Sequence, residues 1–471
     1  MARNGSTSPS WGKTLVRWLL TGRTAPAPRA PRPPREPRPL VSSAGRPLAD
    51  ASEKANAYTG LCLLAALLGC CLGAFVWITF QASFFLARVF WDAATAGLAA
   101  LGMPFAAEAA TVLLCAAGGL LIGWWGTHVG GLPEPFMQVI ARARANGRYE
   151  SAGLGPCAAG VILPQAFGGA VGLAAGLVSV VAVGCTFIGA SLRRAGLGIM
   201  ELPRRGAAAV VRALARGTVD QARRRRNTAR EADRDPLSYD FKRWAKTVLY
   251  SAATAAGIAA FALLTLELGT QAVIPRFDAP ALDAANLVWA VPCILMGWVG
   301  IVIFQASARV CARFDAARRS HALLVPFAGG IMLGLVGAAF PGVLFSGIAQ
   351  TPDLLADWPK LGAAALLATG FCKFGLCPLC IATGWKGGQI YPCVFAAVAC
   401  GLGFAALTGA DATLCLTATA ATATACLLRS PALSFGLLLL CFPIESAPLL
   451  AAACLMGAAL PVPAAAAVQE R

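Results

Sequence analysis

The chain has 471 residues, of which 58% are hydrophobic and only 13% are charged. Soluble globular proteins carry about 25% charged residues, so this composition excludes an ordinary soluble domain and indicates an integral membrane protein. The net charge of +17 is concentrated in two arginine-rich blocks, 1–55 and 193–246. No aromatic residues alternate with these arginines, which favours a topology signal and lipid contact over nucleic-acid binding.

The N-terminal block does not have the layout of a secretory signal. A signal needs an apolar stretch close behind its first basic residues, but here the first long apolar stretch begins near Tyr58. We expect residues 1–55 to form a disordered basic, proline-rich tail. Positively charged segments stay in the cytoplasm, so the tail and the basic loop 191–246 are both predicted to lie there.

Apolar runs then follow one another almost to the C-terminus. A run of about 20 apolar residues is typical of a spanning helix. These runs lie at 59–92, 98–126, 157–190, 247–274, 285–305, 323–350, 361–384, 391–408, 411–428 and 432–460. Several are long enough for two helices, so we expect roughly 10 to 16 in all. The membrane part therefore divides into 56–190 and 247–462, followed by a short tail, 463–471.

The residue types that carry enzyme chemistry are sparse or badly placed. The chain has two histidines, His128 and His321, far apart in sequence, which argues against a zinc site. Most cysteines lie in apolar runs, where they act as small hydrophobic residues. The pair Cys377 and Cys380 has redox spacing but lies in an apolar helix and not after a strand. We expect no enzyme activity, no metal and no cofactor.

Glycine and proline interrupt the apolar pattern at three places: VGGLPEPF at 129–136, LPQAFGG at 163–169 and GGQIYP at 387–392. A helix broken inside the bilayer exposes its first amides, which bind anions together with the helix dipole. Such breaks indicate the substrate site of a transporter. The alternative is a set of plain kinks, since glycine and proline are common in spanning helices.

These three segments resemble the anion-site signatures of the CLC chloride channel and transporter family. VGGLP is similar to G-S-G-I-P, with Gly130 at the serine position, and GGQIYP is similar to G-x-F-x-P, with Ile390 at the phenylalanine position. LPQA at 163–166 is similar to G-P-E-A, a bacterial variant of the second signature. The segments 326–347 and 421–440 also resemble the family. On this basis the chain is identified as a divergent, prokaryotic-type member.

The resemblance implies an all-α integral membrane protein, with a CLC-like inverted-repeat bundle of tilted and broken transmembrane helices. It also implies a multi-pass homodimer in membrane lipid, each subunit with its own pore for chloride or a similar anion. Helix N-termini would line that pore. The residues that the resemblance assigns to the anion are Gly130, Gly131, Leu132, Gln165, Ala166, Gln389, Ile390 and Tyr391.

The sequence departs from the family at the residue expected to act as the gate. The resemblance places Gln165 where the family has a glutamate that gates the pore and carries protons in exchangers. An amide cannot relay a proton, so we expect anion movement without proton coupling. Gly130 stands where the family has a serine, so the serine hydroxyl is absent. Tyr391 is a candidate substitute for the family's pore tyrosine. Glu267 lies near the position of an internal proton acceptor, or is a charge at a helix end.

Three alternatives remain open at this stage. The protein could be an anion/proton exchanger that uses Glu134 or Glu267, or a CLC-like membrane scaffold that no longer conducts. Fluoride could replace chloride, although Gln165 argues against the fluoride-exporting branch, which retains a gating glutamate. Lys373, a charge inside the run 361–384, either faces a water-filled vestibule or extends to the membrane interface.

Overall fold

A computed structural model describes residues 51–134, 136–146, 148–149, 151–200, 243–268 and 276–462. Its α-helices, in chain order, are α1 (Ala51–Ala100), α2 (Ala106–His128), α3 (Phe136–Asn146), α4 (Leu154–Ala166), α5 (Leu173–Met200), α6 (Arg243–Leu268), α7 (Ala284–Leu287), α8 (Ala290–Ser320), α9 (Leu324–Ala339), α10 (Gln350–Asp357), α11 (Ala363–Thr383), α12 (Ile390–Thr408), α13 (Ala412–Leu428), α14 (Pro431–Leu438) and α15 (Ala447–Ala459). Within these residues, seven helices are long and apolar enough to cross a membrane. The prediction of an all-α membrane protein is confirmed.

Two glycines bring α1 and α6 into close contact. A Cβ atom built on Gly69 would lie 2.1 Å from the carbonyl oxygen of Ala253. One built on Gly73 would lie at the same distance, 2.1 Å, from the carbonyl oxygen of Gly257. Small residues four positions apart let two backbones approach inside a bilayer, where water does not drive helices together. Glycine is therefore required on this face of α1.

Helices α2 and α9 approach each other in the same way. A Cβ atom on Gly119 would lie 2.2 Å from the carbonyl oxygen of Pro326, and one on Gly330 would lie 2.2 Å from that of Cys115. The buried ring of Trp385 packs beside this crossing, since a Cβ atom on Gly330 would also lie 3.1 Å from it. The first interrupted segment follows α2, and the third begins two residues after Trp385, so both lie next to this crossing.

The C-terminal half contains the largest buried core. Helix α12 is buried over most of its length and packs between α11 and α13. A Cβ atom on Gly370 of α11 would lie 2.4 Å from the Sγ atom of Cys400, and one on Gly401 would lie 2.5 Å from the Cα atom of Leu416. A helix that is apolar on every side is buried on every side. The start of α12, where GGQIYP lies, is thus held by a rigid core.

Helix bounds differ from the sequence prediction at the charged segments. Helix α5 continues to Met200 and α6 begins at Arg243, so both ends of the predicted loop 191–246 are helical. The prediction failed there because arginine side chains can extend from a helix end to the membrane surface, so charge does not end the helix. Helix α1 likewise begins at Ala51, inside the predicted tail. The rest of that tail, residues 201–242 and the tail 463–471 lie outside the described residues.

Lys373 takes neither of the positions expected for it. The side chain is fully buried in α11. Its Nζ atom donates hydrogen bonds to the carbonyl oxygens of Gly342 at 3.1 Å and Leu344 at 2.9 Å, and it lies 4.3 Å from the centre of the Phe395 ring. The turn after α9, which includes the short 3-10 helix Pro341–Val343, leaves these carbonyls outside any α-helix, and the lysine supplies their donors. The charge therefore joins the turn to α11 and α12.

Candidate functional site

A small cavity lies where the second and third interrupted segments meet. Its volume is about 10 Å³, which is room for about one water-sized particle. Its walls come from the end of α4, the start of α5 and the segment before α12. They are Pro133, Val161, Pro164, Gln165, Val171, Gly172, Leu173, Gly176, Lys386 and Gly387. All three interrupted segments therefore contribute to one site.

The end of α4 places Gln165 in the cavity wall. Pro164 lies in the last turn of the helix, and its carbonyl oxygen accepts a hydrogen bond from the Gly169 amide at 2.7 Å. Gly168 has φ of +84°, a conformation that glycine adopts without strain. The chain therefore turns immediately after α4 and leaves Gln165 only 2% exposed.

The side chain of Gln165 carries an unsatisfied polar atom. Its Oε1 atom is buried and has no hydrogen-bond partner. A buried acceptor without a donor lowers stability by about 1–3 kcal/mol, so such an atom indicates a ligand position. The two ends of a carboxamide are nearly the same size, and rotation exchanges the C=O for an N–H donor. The residue can thus present either polarity to the cavity while it remains uncharged.

The first turn of α5 forms the opposite wall. Gly172 and Leu173, at the start of this helix, line the cavity, as does Gly176. The first amides of a helix have no acceptor within it, and the helix dipole adds a partial positive charge at the same end. A Cβ atom on Gly176 would lie 2.7 Å from Val161 of α4, so glycine is needed for this close approach. The wall suits a negatively charged ligand.

The third segment contributes Lys386 and Gly387, the residues just before the predicted ligands. Gly388 is paired with Gly172 by two backbone hydrogen bonds, of 2.6 and 2.7 Å. Trp385 is fully buried, and its Nε1–H donates to the carbonyl oxygen of Pro326 at 3.1 Å. The backbone on both sides of Lys386 and Gly387 is therefore fixed.

The first segment contacts the cavity through its proline. Gly130 and Gly131 have φ of +76° and +78°, which lets the chain leave α2 and pass along α4. The amide of Gly130 donates to the carbonyl oxygen of Trp125 at 2.9 Å, so this donor already has an acceptor in the chain. Leu132 lies against α4, since a Cβ atom on Gly160 would lie 3.2 Å from its Cα atom. Pro133 then reaches the cavity wall.

Of the residues predicted to hold an anion, Gln165 is the one in the cavity wall. Ala166 is buried beside it, and its carbonyl oxygen accepts a hydrogen bond from Trp91 Nε1 at 3.1 Å. Gln389 is exposed at the start of α12. Ile390 packs against the C-terminal core, and Tyr391 packs against a separate buried cluster formed with α1 and α5. These residues neighbour the wall and remain predicted ligands.

Six wall residues lie outside the three interrupted segments and were missed by sequence reasoning: Val161, Val171, Gly172, Leu173, Gly176 and Lys386. Val171, Gly172 and Leu173 lie in GGAVGL at 168–173, which continues the interruption LPQAFGG, and the glycines there were the available signal. Lys386 is the first letter of KGGQIYP, and a charge next to a broken helix was the corresponding signal.

Glu134 lies one residue beyond the cavity wall. Its Oε1 atom accepts a hydrogen bond from Arg142 at 2.6 Å, and its backbone amide donates to the Ser179 hydroxyl at 3.4 Å. Burial, together with the charge of Glu134, raises the pKa of Tyr149 to about 12, so this phenol is protonated at neutral pH. By contrast, Glu267 is exposed at the end of α6. Of the two acidic candidates, only Glu134 adjoins the site.

Comparisons with known proteins agree on the fold. A family model described as voltage gated chloride channel matches residues 238–461. No curated protein matches the chain. A CLC-type fluoride/proton antiporter is similar at 16% identity and a TM-score of 0.55, over 85% of this chain and 94% of its own. A slow cyanobacterial Cl⁻/H⁺ antiporter is similar at 17% identity and a TM-score of 0.56, over 85% of this chain and 93% of its own. A eukaryotic CLC transporter is similar at 15% identity and a TM-score of 0.53, over 85% of this chain and 71% of its own.

Proposed function

We propose that this chain, whose residues 238–461 match the voltage gated chloride channel family and whose fold is that of CLC transporters, is a CLC-type protein that moves chloride or a similar small anion across a membrane. The anion would pass through the cavity at Gln165. The observation that carries the proposal is the convergence of three interrupted segments on one cavity, which the start of α5 lines together with a buried, unsatisfied carboxamide.

The chemistry of the walls supports an anion that binds and leaves. Backbone amides at the start of α5 and the Gln165 N–H are partial charges. Conduction requires a site strong enough to replace part of the hydration shell and weak enough to release the ion. Apolar neighbours such as Val161 and Leu173 exclude water, which strengthens each dipole in the cavity.

Proton coupling is not part of the proposal. A carboxamide has no titratable proton near neutral pH, so Gln165 cannot deliver one when the anion moves. We therefore propose uncoupled anion movement, by a channel or a carrier. The wall would stay neutral at this position at every physiological pH.

Glu134 supports a second candidate function. It is a carboxylate of which 27% is exposed, and it adjoins Pro133 in the cavity wall. An anion/proton exchanger needs a carboxylate that can reach both the site and water. Its carboxylate is already held in an ion pair with Arg142, and for this reason we rank exchange below uncoupled movement.

The experiment is anion efflux from liposomes that contain the purified protein, comparing wild type with Gln165→Glu. A carboxylate at this position would compete with the anion for the same dipoles, so we expect efflux to become slower and pH-dependent. Gln305→Glu is the matched control: it makes the same chemical change in α8, outside the wall, so its efflux should equal that of wild type.

The outcomes separate the candidates. An unchanged rate in Gln165→Glu would remove Gln165 from the pathway. Proton movement driven by a chloride gradient in wild type would replace uncoupled movement by exchange. If the wild-type protein shows no efflux of any anion, the remaining candidate function is that of a CLC-like membrane scaffold.

The assembly and orientation are further parts of the proposal. We propose a homodimer in the membrane, with residues 1–55 and the basic loop on the cytoplasmic side, because both are rich in arginine and positive segments stay inside. Protease accessibility in sealed membrane vesicles of known orientation tests the sidedness. Mass measurement of the detergent-solubilised protein tests the dimer.

A further inference from the structure

The end of α4 is completed by a side chain that comes from α1. The last four carbonyls of an α-helix have no amide donor within the helix. In α4, amides of the following loop serve three of them, those of Leu163, Pro164 and Gln165. The fourth carbonyl, that of Ala166, accepts a hydrogen bond from the Nε1–H of Trp91 at 3.1 Å. Trp91 therefore anchors the backbone at the residue next to Gln165.

The ring of Trp91 also contacts the turn that follows α4. A Cβ atom built on Gly168 would lie 2.8 Å from the Cζ2 atom of Trp91, so the ring lies directly against this glycine. Trp91 is half-buried and packs against the buried cluster that contains Cys115 and Trp385. The indole thus holds the loop twice, through one hydrogen bond and through the packing of its ring.

Phe345 supports the same turn from the segment after α9. Its amide donates to the Gly168 carbonyl oxygen at 3.0 Å, and its ring centre lies 5.1 Å from that of Trp91. Phe345 has φ of +59°, a strained conformation for a residue with a Cβ atom. Such strain persists only where the surrounding structure imposes it, and it clusters at functional sites. Two aromatic residues in mutual contact therefore fix the turn beside Gln165.

We propose that Trp91 is a positioning residue for Gln165: its indole holds the loop after α4 so that the carboxamide stays in the cavity wall. The inference rests on the proposed function, because it names the residue that places the proposed ligand. Trp91 does not line the cavity, so it acts on the anion through Gln165. The Oε1 atom of Gln165 has no hydrogen-bond partner. That atom does not anchor the side chain, whose position depends on the backbone that Trp91 holds.

A residue that acts through Gln165 has an effect that depends on what stands at position 165. Substitutions that act independently add their effects, whereas coupled ones do not. Gln165→Glu supplies the readout, because its carboxylate competes with the anion at about pH 7.5, where it is ionised, and less at about pH 4.5, where much of it is protonated. Without the indole hydrogen bond, the carboxylate is free to leave the anion position, so this pH dependence weakens. A residue that only stabilised the fold would not change the ratio of two rates measured on one sample.

The experiment measures chloride efflux from liposomes at both pH values for wild type and for Gln165→Glu, the latter alone and combined with Trp91→Phe or Trp298→Phe. Phenylalanine keeps an aromatic ring and removes the indole N–H. Trp298 is the matched control, because its Nε1–H also donates to a backbone carbonyl, that of Pro461 at 2.8 Å, outside the cavity. We expect Trp91→Phe to lower the ratio of the two rates about fivefold, the factor for one hydrogen bond of typical strength. Trp298→Phe should leave the ratio within about twofold.

The outcomes separate this inference from the proposed function. A ratio that falls with Trp91→Phe and not with Trp298→Phe supports the positioning role. A pH-dependent Gln165→Glu whose ratio survives Trp91→Phe, or falls equally with Trp298→Phe, overturns this inference alone. Wild type without efflux, or Gln165→Glu without pH dependence, overturns the proposed pathway and this inference with it. If Trp91→Phe does not purify as a single species, Phe345→Leu takes its place under the same criteria, because it removes the ring that packs on Trp91.

Discussion

Gly172 and Gly388 hold each other by a reciprocal pair of backbone hydrogen bonds, with lengths of 2.6 and 2.7 Å. They form an antiparallel bridge between the loop after α4 and the segment before α12, two parts of the chain that are far apart in sequence. Neither donor can then serve the anion, because each already has an acceptor. The bridge instead holds the loop after α4 against the segment before α12.

The first prediction concerns Gly387, which lies beside this bridge. A Cβ atom on Gly387 would lie 2.6 Å from the Cβ atom of Val171, which is buried. Gly387→Ala should therefore lower the free energy of unfolding by about 1–3 kcal/mol through overpacking. Anion efflux should fall as well, because the two walls would separate. Thermal unfolding in detergent and liposome efflux measure the two effects.

Gly375→Ala is the control for this substitution. Gly375 lies in α11, and a Cβ atom there would have no heavy atom within 4 Å. Alanine is favoured over glycine inside a helix by up to about 1 kcal/mol, so this variant should be as stable as wild type or more stable. Equal melting temperatures for the two variants would show that Gly387 is not tightly packed.

The second prediction concerns the buried charge of Lys373. The turn that it holds also touches the site, since the Phe345 amide donates to the Gly168 carbonyl oxygen at 3.0 Å. Lys373→Met keeps the length of the side chain but leaves the carbonyls of Gly342 and Leu344 without their donor. We expect a loss of about 1–3 kcal/mol, measured by thermal unfolding. Lys360→Met, at an exposed ion pair, should change stability by less than about 1 kcal/mol.

A higher free energy of unfolding for Lys373→Met would contradict the stabilising role of Lys373. It would mean that the penalty of burying an ammonium group exceeds the hydrogen bonds and ring contact that it makes. Efflux should also be recorded for this variant, because Lys373 does not line the cavity. A loss of efflux with normal stability would indicate that its charge acts on the anion directly.

Much of the fold could be predicted from the sequence, because a bilayer requires long apolar helices and the runs reveal them. The run 361–384 is α11 and the run 411–428 is α13, each within a few residues. Helix ends were less predictable. The run 157–190 contains a complete break between α4 and α5. The segment LPQAFGG at 163–169 indicated this break, but not that α5 would begin at Leu173.

The site could be predicted only in part, and the reason is geometric. Gln165 was found because LPQA at 163–166 resembles the second anion-site signature of the family. Gln389 was expected in the wall, but the wall is formed by Lys386 and Gly387, and Gln389 is exposed. Which residues of a segment face a cavity depends on its long-range pairing, here between Gly172 and Gly388. No local pattern contains that pairing.

The third prediction is that anion movement does not carry protons. Among the described wall residues none is a carboxylate, so chloride efflux should be constant from about pH 5 to about pH 8. A chloride gradient should move no protons, as measured with a pH-sensitive dye outside the liposomes. Glu134→Gln should behave as wild type in both assays. Proton movement in wild type that disappears in Glu134→Gln would establish exchange through Glu134.

The fourth prediction concerns Gly130, where the resemblance expects serine. Its φ of +76° is strained for any residue with a Cβ atom, by about 1–2 kcal/mol. Space is not the obstacle, since a Cβ atom would have one neighbour, at 3.9 Å. Gly130→Ser should therefore lower the melting temperature and leave the anion preference unchanged. Its amide donates to Trp125 and does not line the cavity.

Gly155→Ser provides the comparison for this substitution. Gly155 lies in the first turn of α4, where a Cβ atom would meet no heavy atom within 4 Å, so serine there should leave stability nearly unchanged. Efflux of chloride and nitrate is measured for both variants. If Gly130→Ser increases chloride efflux relative to nitrate, its hydroxyl reaches the anion. The pathway would then extend from the cavity to the end of α2, and the first segment would be a direct ligand.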